Sequence, residues 1–142
     1  MSHEQHNVYP GMKAIIVDGD RFLVIKQLVG DYAFWDIPGG RIRHGDNPFE
    51  TLFREVKEET GLDITIIKPA GVWWLYRVFD PDQMVYTTYL CKAKNFQTID
   101  LSKNPDRSEC IEEYRWITKE EFLSGDCPPA DESLRDLIDR IL

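Results

Sequence analysis

A chain of 142 residues with a net charge of -8 has the length of one ordinary domain, and at that size about two-thirds of the unfolded surface is buried on folding. The acidic balance excludes a general attraction to nucleic acid polymer or to anionic membrane, since both need a positive field, but a phosphorylated small molecule stays open because bound divalent cations invert the local sign. Hydrophobic residues make up 42% of the chain in short runs, none near the roughly 18 apolar residues of a membrane span, so one domain over residues 1–142 and no membrane segment are expected.

The start, Met1 to Tyr9, is polar and lacks the apolar core of a secretory signal. It reads as a frayed lead-in, with the cytoplasm as the default compartment. His3 and His6 have no cysteine or carboxylate pattern around them and read as part of a solvated terminus. Lys13 to Val17 and Phe22 to Ile25 are strand-like runs joined by Asp18-Gly19-Asp20, a hairpin signal. Ala33 to Ile37 is a further apolar run, stopped by Pro38-Gly39-Gly40.

Asn47 is then placed to cap a helix, with Pro48 at its first position, Glu50 where a capping-box acid sits and Gly61 at its end. Within it Phe49, Leu52, Phe53 and Val56 recur at i, i+3, i+4 and i+7, the spacing of one core-facing stripe. Ile64 to Ala70, Val72 to Val78 and Val85 to Lys92 are rich in β-branched and aromatic residues and read as strands, with Asp80-Pro81-Asp82 as a turn. Tyr114 to Ile117 is one more, followed by Thr118-Lys119-Glu120-Glu121, a capping box opening a short helix. Leu134, Leu137, Ile138 and Ile141 mark a closing amphipathic helix. Strands mixed with two main helices predict an α/β (α+β) sandwich. Cys91, Cys110 and Cys127 are odd in number and far apart, which fits core or loop residues rather than a disulfide framework.

Glu55, Glu58 and Glu59 share one arc of the first helix, roughly 100° wide, beside its apolar stripe. Like charges at i,i+4 destabilise a helix by about 0.2 to 0.5 kcal/mol, and anions in the C-terminal half oppose the helix dipole. A solvated acidic face is the ordinary explanation of such a pair. Here the context differs: from Gly40 the chain runs five residues to Asp46, then seven to Arg54-Glu55-Val56-Lys57-Glu58-Glu59-Thr60-Gly61-Leu62.

This stretch resembles the Nudix box, a glycine, an acid six places on, then Arg-Glu-apolar-x-Glu-Glu-x-Gly-apolar. The departure is Asp46, where the family has Glu. Matching the six identical fixed positions by chance, at about 7% each, has a probability of about one in ten million per starting point. The resemblance implies a Nudix-like α/β/α sandwich with a mixed sheet, and hydrolysis of a diphosphate bond in a nucleoside diphosphate linked to another moiety. It implies Mg²⁺, with Mn²⁺ able to substitute, on Glu58, Glu59 and the Gly40 carbonyl, and Glu55 as a further ligand or the general base. Mg²⁺ suits such a set because it prefers oxygen ligands and keeps several waters. Arg54 would orient the glutamates through its planar fork.

Gly39 and Gly40 permit a close approach to metal or phosphates, whereas the shorter Asp46 trades a direct contact for a water-mediated one. Some family members take the base from a loop outside the box, and Glu109, Glu112 and Glu113 resemble such a region, with Glu55 ranked ahead of Glu113. Among Trp73, Trp74, Tyr76, Phe79, Tyr86 and Tyr89, Trp74 and Tyr76 are the candidates for stacking on a substrate and the rest read as packing. Pro128-Pro129-Ala130-Asp131-Glu132 is similar to a purine-contacting segment of MutT-type enzymes, with Asp131 in place of Asn; a helix N-cap accounts for Asp131 equally well. The expected partner is a small nucleotide-like diphosphate, with a nucleoside triphosphate, ADP-ribose and a nucleotide sugar all open. A homodimer is common in the family. The alternative is a catalytically silent Nudix domain that senses a nucleotide.

Overall fold

Alternation of apolar residues along the first long strand sets the layers. In a computed structural model of the chain, which describes residues 6–94, 98–102, 104–105 and 110–142, β1 (Val8–Asp18) turns at Gly19-Asp20 into β2 (Arg21–Val29). Gly19 occupies the turn with φ of 62°, a conformation that costs glycine nothing. Met12, Ala14 and Ile16 point to one side of the sheet and Ile15 to the other, and each side has its own apolar cluster.

The remaining elements are β3 (Tyr32–Asp36), β4 (Gly39–Arg41), α1 (Pro48–Thr60), β5 (Ile64–Tyr76), β6 (Gln83–Ala93), β7 (Cys110–Thr118), α2 (Lys119–Ser124) and α3 (Glu132–Ile141). The sheet runs β3-β2-β1-β6-β5, with β4 paired to β1 and β7 to β2. β1 and β6 are parallel while the other pairings are antiparallel, so the sheet is mixed. Leu52 and Val56 of α1 close one cluster; Leu134, Leu137 and Ile138 of α3, with Phe122 of α2, close the other. All six are essentially inaccessible, and each such side chain contributes roughly 1.5 to 3 kcal/mol relative to exposure. This is the sandwich expected from the elements. Among the described residues no helix is long and apolar enough to cross a membrane.

Several expectations shift. The lead-in ends earlier than Tyr9, because Val8 and Tyr9 already pair with Gln83 and Met84; His3 lies outside the described residues. The run Ile64 to Ala70 and the run from Val72 form one strand that ends at Tyr76, short of the expected Val78, and its register slips at Ile66/Lys68 and Pro69/Gly71, so Gly71 is an irregularity within a strand, not a boundary. α1 is capped as expected: Asn47 Oδ1 accepts from the backbone N–H of Phe49 and Glu50, and Gly61 closes the helix with φ of 79°. Its buried face, however, runs through Leu52, Val56, Glu59 and Thr60, which turns the helix toward its acidic side. Phe49 and Phe53 are consequently half-exposed, Phe49 resting edge-on against the Tyr89 ring at 5.4 Å. Cys91 and Cys127 are buried, Cys110 is exposed, and all three are free.

Candidate active site

The rotation of α1 brings two of its glutamates under the Gly39-Gly40 strand. Gly39 N–H donates to Glu59 Oε1 at 2.8 Å, and Glu59 is 1% exposed. Gly40 stands so close to Glu55 that an added Cβ would lie 2.6 Å from Glu55 Cδ. Behind this pair of glycines is the backbone of β1: Gly39 has φ of 143°, and a Cβ there would lie 2.0 Å from the Met12 carbonyl oxygen. Glycine at 39 is therefore demanded by strand packing, and at 40 by the approach of Glu55.

Glu55, Glu59, Gly39 and Gly40 line a cleft of about 590 Å³ together with residues of β1, β2, β3, β5 and β6. Arg54 Nη1 lies 3.3 Å from Glu55 Oε1 and 3.5 Å from Glu58 Oε2, bridging the two carboxylates from the solvent side. Glu58 is part-buried beside it and does not line the cleft. The donor chemistry fits a hard divalent cation: three carboxylates within two helical turns, and beside them the backbone of two glycines, which carry no side chains of their own. As arranged, the carboxylates are spread among Gly39, Arg54 and one another, and among the described residues no three His, Cys, Asp or Glu side chains converge on one point. An ion that retains several waters needs only one or two of them directly.

The other candidates separate. Tyr76 lines the cleft. Trp74 does not: it is half-exposed, with its backbone N–H and C=O tied to Ser133 Oγ of α3, while Trp73 on the buried face of β5 packs on Tyr86 with ring centroids 4.7 Å apart. Glu113 sits on β7 opposite Lys26, 3.7 Å from Lys26 Nζ and 3.5 Å from Arg115 Nε, away from the cleft. Glu112 is 3.6 Å from the same lysine, and Glu109 lies outside the described residues. Asp131 is the N-cap of α3, accepting from Ser133 N–H at 2.8 Å; its neighbour Ala130 reaches the cleft and Asp131 does not. Asp46 Oδ2 accepts from Arg43 N–H at 3.3 Å and from Thr51 Oγ1 at 3.4 Å, so it fastens the loop before α1 to the helix and is not part of the cleft lining.

Comparison with known proteins decides the family. A NUDIX domain model matches residues 9–141. The chain belongs to the Nudix family, and it is a hydrolase of pyrophosphate bonds. It is similar to an RNA pyrophosphohydrolase of Marinomonas sp., 32% identical over 123 residues, covering 77% of this chain and 74% of that protein; it spans 61% of Francisella tularensis proteins of the same name. The Nudix fold is shared with a MutT NUDIX hydrolase from Burkholderia pseudomallei, at a TM-score of 0.76 and 20% identity, covering 96% of this chain and 100% of the other. A C. elegans Ap4A hydrolase aligns at a TM-score of 0.65 and 19% identity, covering 94% and 95%.

Some of the cleft's residues are not evident from the Nudix box. Lys13 and Asp36 are each 3% exposed and joined by a bond of 2.9 Å from Lys13 Nζ to Asp36 Oδ2. Burial by itself lowers the lysine's pKa, but the charges of Asp36, Tyr86 and Glu59 outweigh it and hold the ammonium well above its ordinary range. The signal was present as a lysine on the same strand face as Ile15, a position that alternation makes a core position. Tyr32 and Phe34, stacked with centroids 5.5 Å apart, and Phe79 complete an aromatic wall. Their contribution depends on β3 and the β5–β6 turn meeting in space, which no local pattern reveals.

Proposed function

We propose that this Nudix hydrolase cuts the diphosphate of a free nucleotide, with Mg²⁺, or Mn²⁺ in its place, held on the acidic side of α1 by Glu58, Glu59 and the Gly40 carbonyl. The observation that carries this reading is the meeting of Glu55 and Glu59 with the Gly39-Gly40 strand in a cleft with an aromatic wall. When bound, the metal supplies electrostatic relief for the diphosphate and a more acidic water.

The chain's own residues do the rest. Glu59 is oriented by Gly39 N–H. Arg54 fixes the rotamers of Glu55 and Glu58. Glu55, part-buried and against Gly40, is a further ligand or the base that takes a proton from the attacking water; it is preferred to Glu113, which does not line the cleft and is paired with Lys26. Tyr76, Tyr32, Phe34 and Phe79 offer ring faces for a base.

A second reading is favoured by the relatives named RNA pyrophosphohydrolase: the substrate would be the 5′ end of an RNA. The net charge of -8 opposes extended contact with a polyanion and favours the free nucleotide. The test is a panel of nucleoside triphosphates, ADP-ribose, a nucleotide sugar and a 5′-triphosphorylated RNA, each with Mg²⁺ and with EDTA, followed by product analysis. Metal-dependent cleavage of a free nucleotide is expected. Cleavage of the RNA alone would establish the second reading, and tight nucleotide binding with no cleavage would make the domain a sensor.

A further inference from the structure

The floor of the cleft carries charges that diphosphate hydrolysis does not require. Lys13 Nζ donates to Asp36 Oδ2 at 2.9 Å, Gln27 Nε2 donates to the same oxygen at 3.1 Å, and Ile37 N–H takes Oδ1 at 2.8 Å. Lys13, Gln27 and Asp36 all line the cleft that Glu55 and Glu59 enter. As a device for stability a buried ion pair is poor, since apolar residues of similar volume are often neutral or stabilising by comparison. Ile15, two residues on and on the same strand face, is fully buried in the apolar cluster.

The hydrogen-bonding capacity left on this floor is one-sided. Asp36 already accepts three bonds. An ammonium has three donors: Asp36 takes one, and the Tyr86 ring at 4.7 Å and the Glu59 charge also act on Nζ, so at most two donors are left for the cleft. Gln27, half-buried beside it, spends an N–H on Asp36 and keeps Oε1 as a neighbouring acceptor. A donor next to an acceptor, walled by Tyr32, Phe34, Phe79 and Tyr86, matches a planar ring bearing a carbonyl oxygen beside a ring N–H.

We propose that Lys13, with Gln27 beside it, selects nucleotides whose base presents a carbonyl next to a ring N–H, as guanine and uracil or thymine do, over bases that present an amino group there. The selection rests on the free-nucleotide reading above and adds the base class to it. An amino group set against the ammonium opposes donor to donor and leaves a buried group unpaired, and sites built on hydrogen bonds discriminate steeply against partners that cannot make them.

The test is kcat/KM for GTP, UTP, ATP and CTP with Mg²⁺, in the wild type and in the double variant Lys13→Met/Asp36→Leu, which removes both charges so that neither is stranded. The wild type is expected to favour GTP and UTP over ATP and CTP by about tenfold or more, and the double variant to bring the four within about threefold. Gln27→Leu, at a half-buried position, provides a second variant should the double one not fold, and is expected to narrow the ratio about threefold or more. Four equal values in the wild type, or an unchanged ratio in a folded variant, would overturn the selection while leaving nucleotide hydrolysis in place. No turnover of any of the four would overturn the selection as stated, and the nucleotide reading falls with it when ADP-ribose and a nucleotide sugar are uncleaved too.

Discussion

Alanine at Gly39 and alanine at Gly40 should have opposite consequences, although the residues are neighbours. At Gly39 the added Cβ meets backbone: the Met12 carbonyl oxygen at 2.0 Å and Lys13 Cα at 2.7 Å, with φ of 143°. Strain in that backbone region costs about 1 to 3 kcal/mol, and forcing an atom into a packed interior about as much again. The sum is roughly 2 to 6 kcal/mol. With an unfolding entropy of about 2.1 cal/mol/K per residue, a chain of 142 residues should then lose roughly 7 to 20 °C of Tm. At Gly40 the three atoms nearest the Cβ all belong to the Glu55 side chain, Cδ at 2.6 Å and Cγ and Oε2 at 2.8 Å. That side chain can swing away, so Tm should move by no more than about 3 °C, while displacement of Glu55 lowers kcat/KM by about a hundredfold, the lower end of a general base's contribution. Calorimetry and steady-state kinetics on the two variants check this. A Gly40→Ala enzyme with wild-type kcat/KM, or a Gly39→Ala protein with unchanged Tm, would refute the argument.

Arg54→Met removes a half-exposed arginine whose ion pairs contribute about 0 to 1 kcal/mol to stability; thermal melts should shift little while kcat/KM falls about tenfold as Glu55 and Glu58 lose their common partner. Lys13→Met alone leaves Asp36 buried without its cation and should cost about 3 to 5 kcal/mol in urea denaturation, much of which Lys13→Met/Asp36→Leu recovers. Native protein treated with a thiol reagent at neutral pH should label at Cys110, with Cys91 and Cys127 reacting only after unfolding. Burial pushes the Cys91 thiol up to about 12 from an ordinary value of 9.0, so the unfolded chain sheds that proton first. Its contribution to stability is complete below about pH 9 and is lost as pH rises toward 12; the urea midpoint of the wild type should fall more between pH 8 and 10 than that of Cys91→Ala.

What could be read from the chain alone was what is encoded locally. Asn47, Pro48 and Gly61 bound α1 because capping is satisfied within a few residues, and Thr118 with Glu121 closes its box for the same reason. β4 left no such trace: Gly39–Arg41 is a strand because β1 offers Gly11, Met12 and Lys13 as partners, and that pairing is tertiary. The stripe through Phe49 and Phe53 misjudged the rotation of α1, since periodicity identifies a face but not which edge of it goes under, and the burial of Glu59 decided the matter. Glu113 and Trp74 do not line the cleft: one is paired with Lys26 across β7 and β2, the other has its backbone tied to Ser133 of α3, and both placements are tertiary. Asp131 takes the N-cap role that the sequence equally allowed. Lys13 stood out locally as a charge at a core position of β1, but its pairing with Asp36 becomes visible only when the strands are brought together.

The central claim, that the acidic side of α1 runs a metal-dependent hydrolysis, is tested most directly by one comparison. A readily cleaved nucleoside triphosphate is incubated with wild type and with Glu59→Gln, each with Mg²⁺ and with EDTA, and the products are followed by ³¹P NMR. Glutamine keeps the oxygen that accepts from Gly39 N–H and removes only the charge, so the variant should fold as the wild type does. The account predicts phosphate or pyrophosphate release by the wild type with Mg²⁺ alone, and a loss of about a hundredfold or more in the folded variant. Equal rates for wild type and Glu59→Gln, or undiminished cleavage in EDTA, would contradict it.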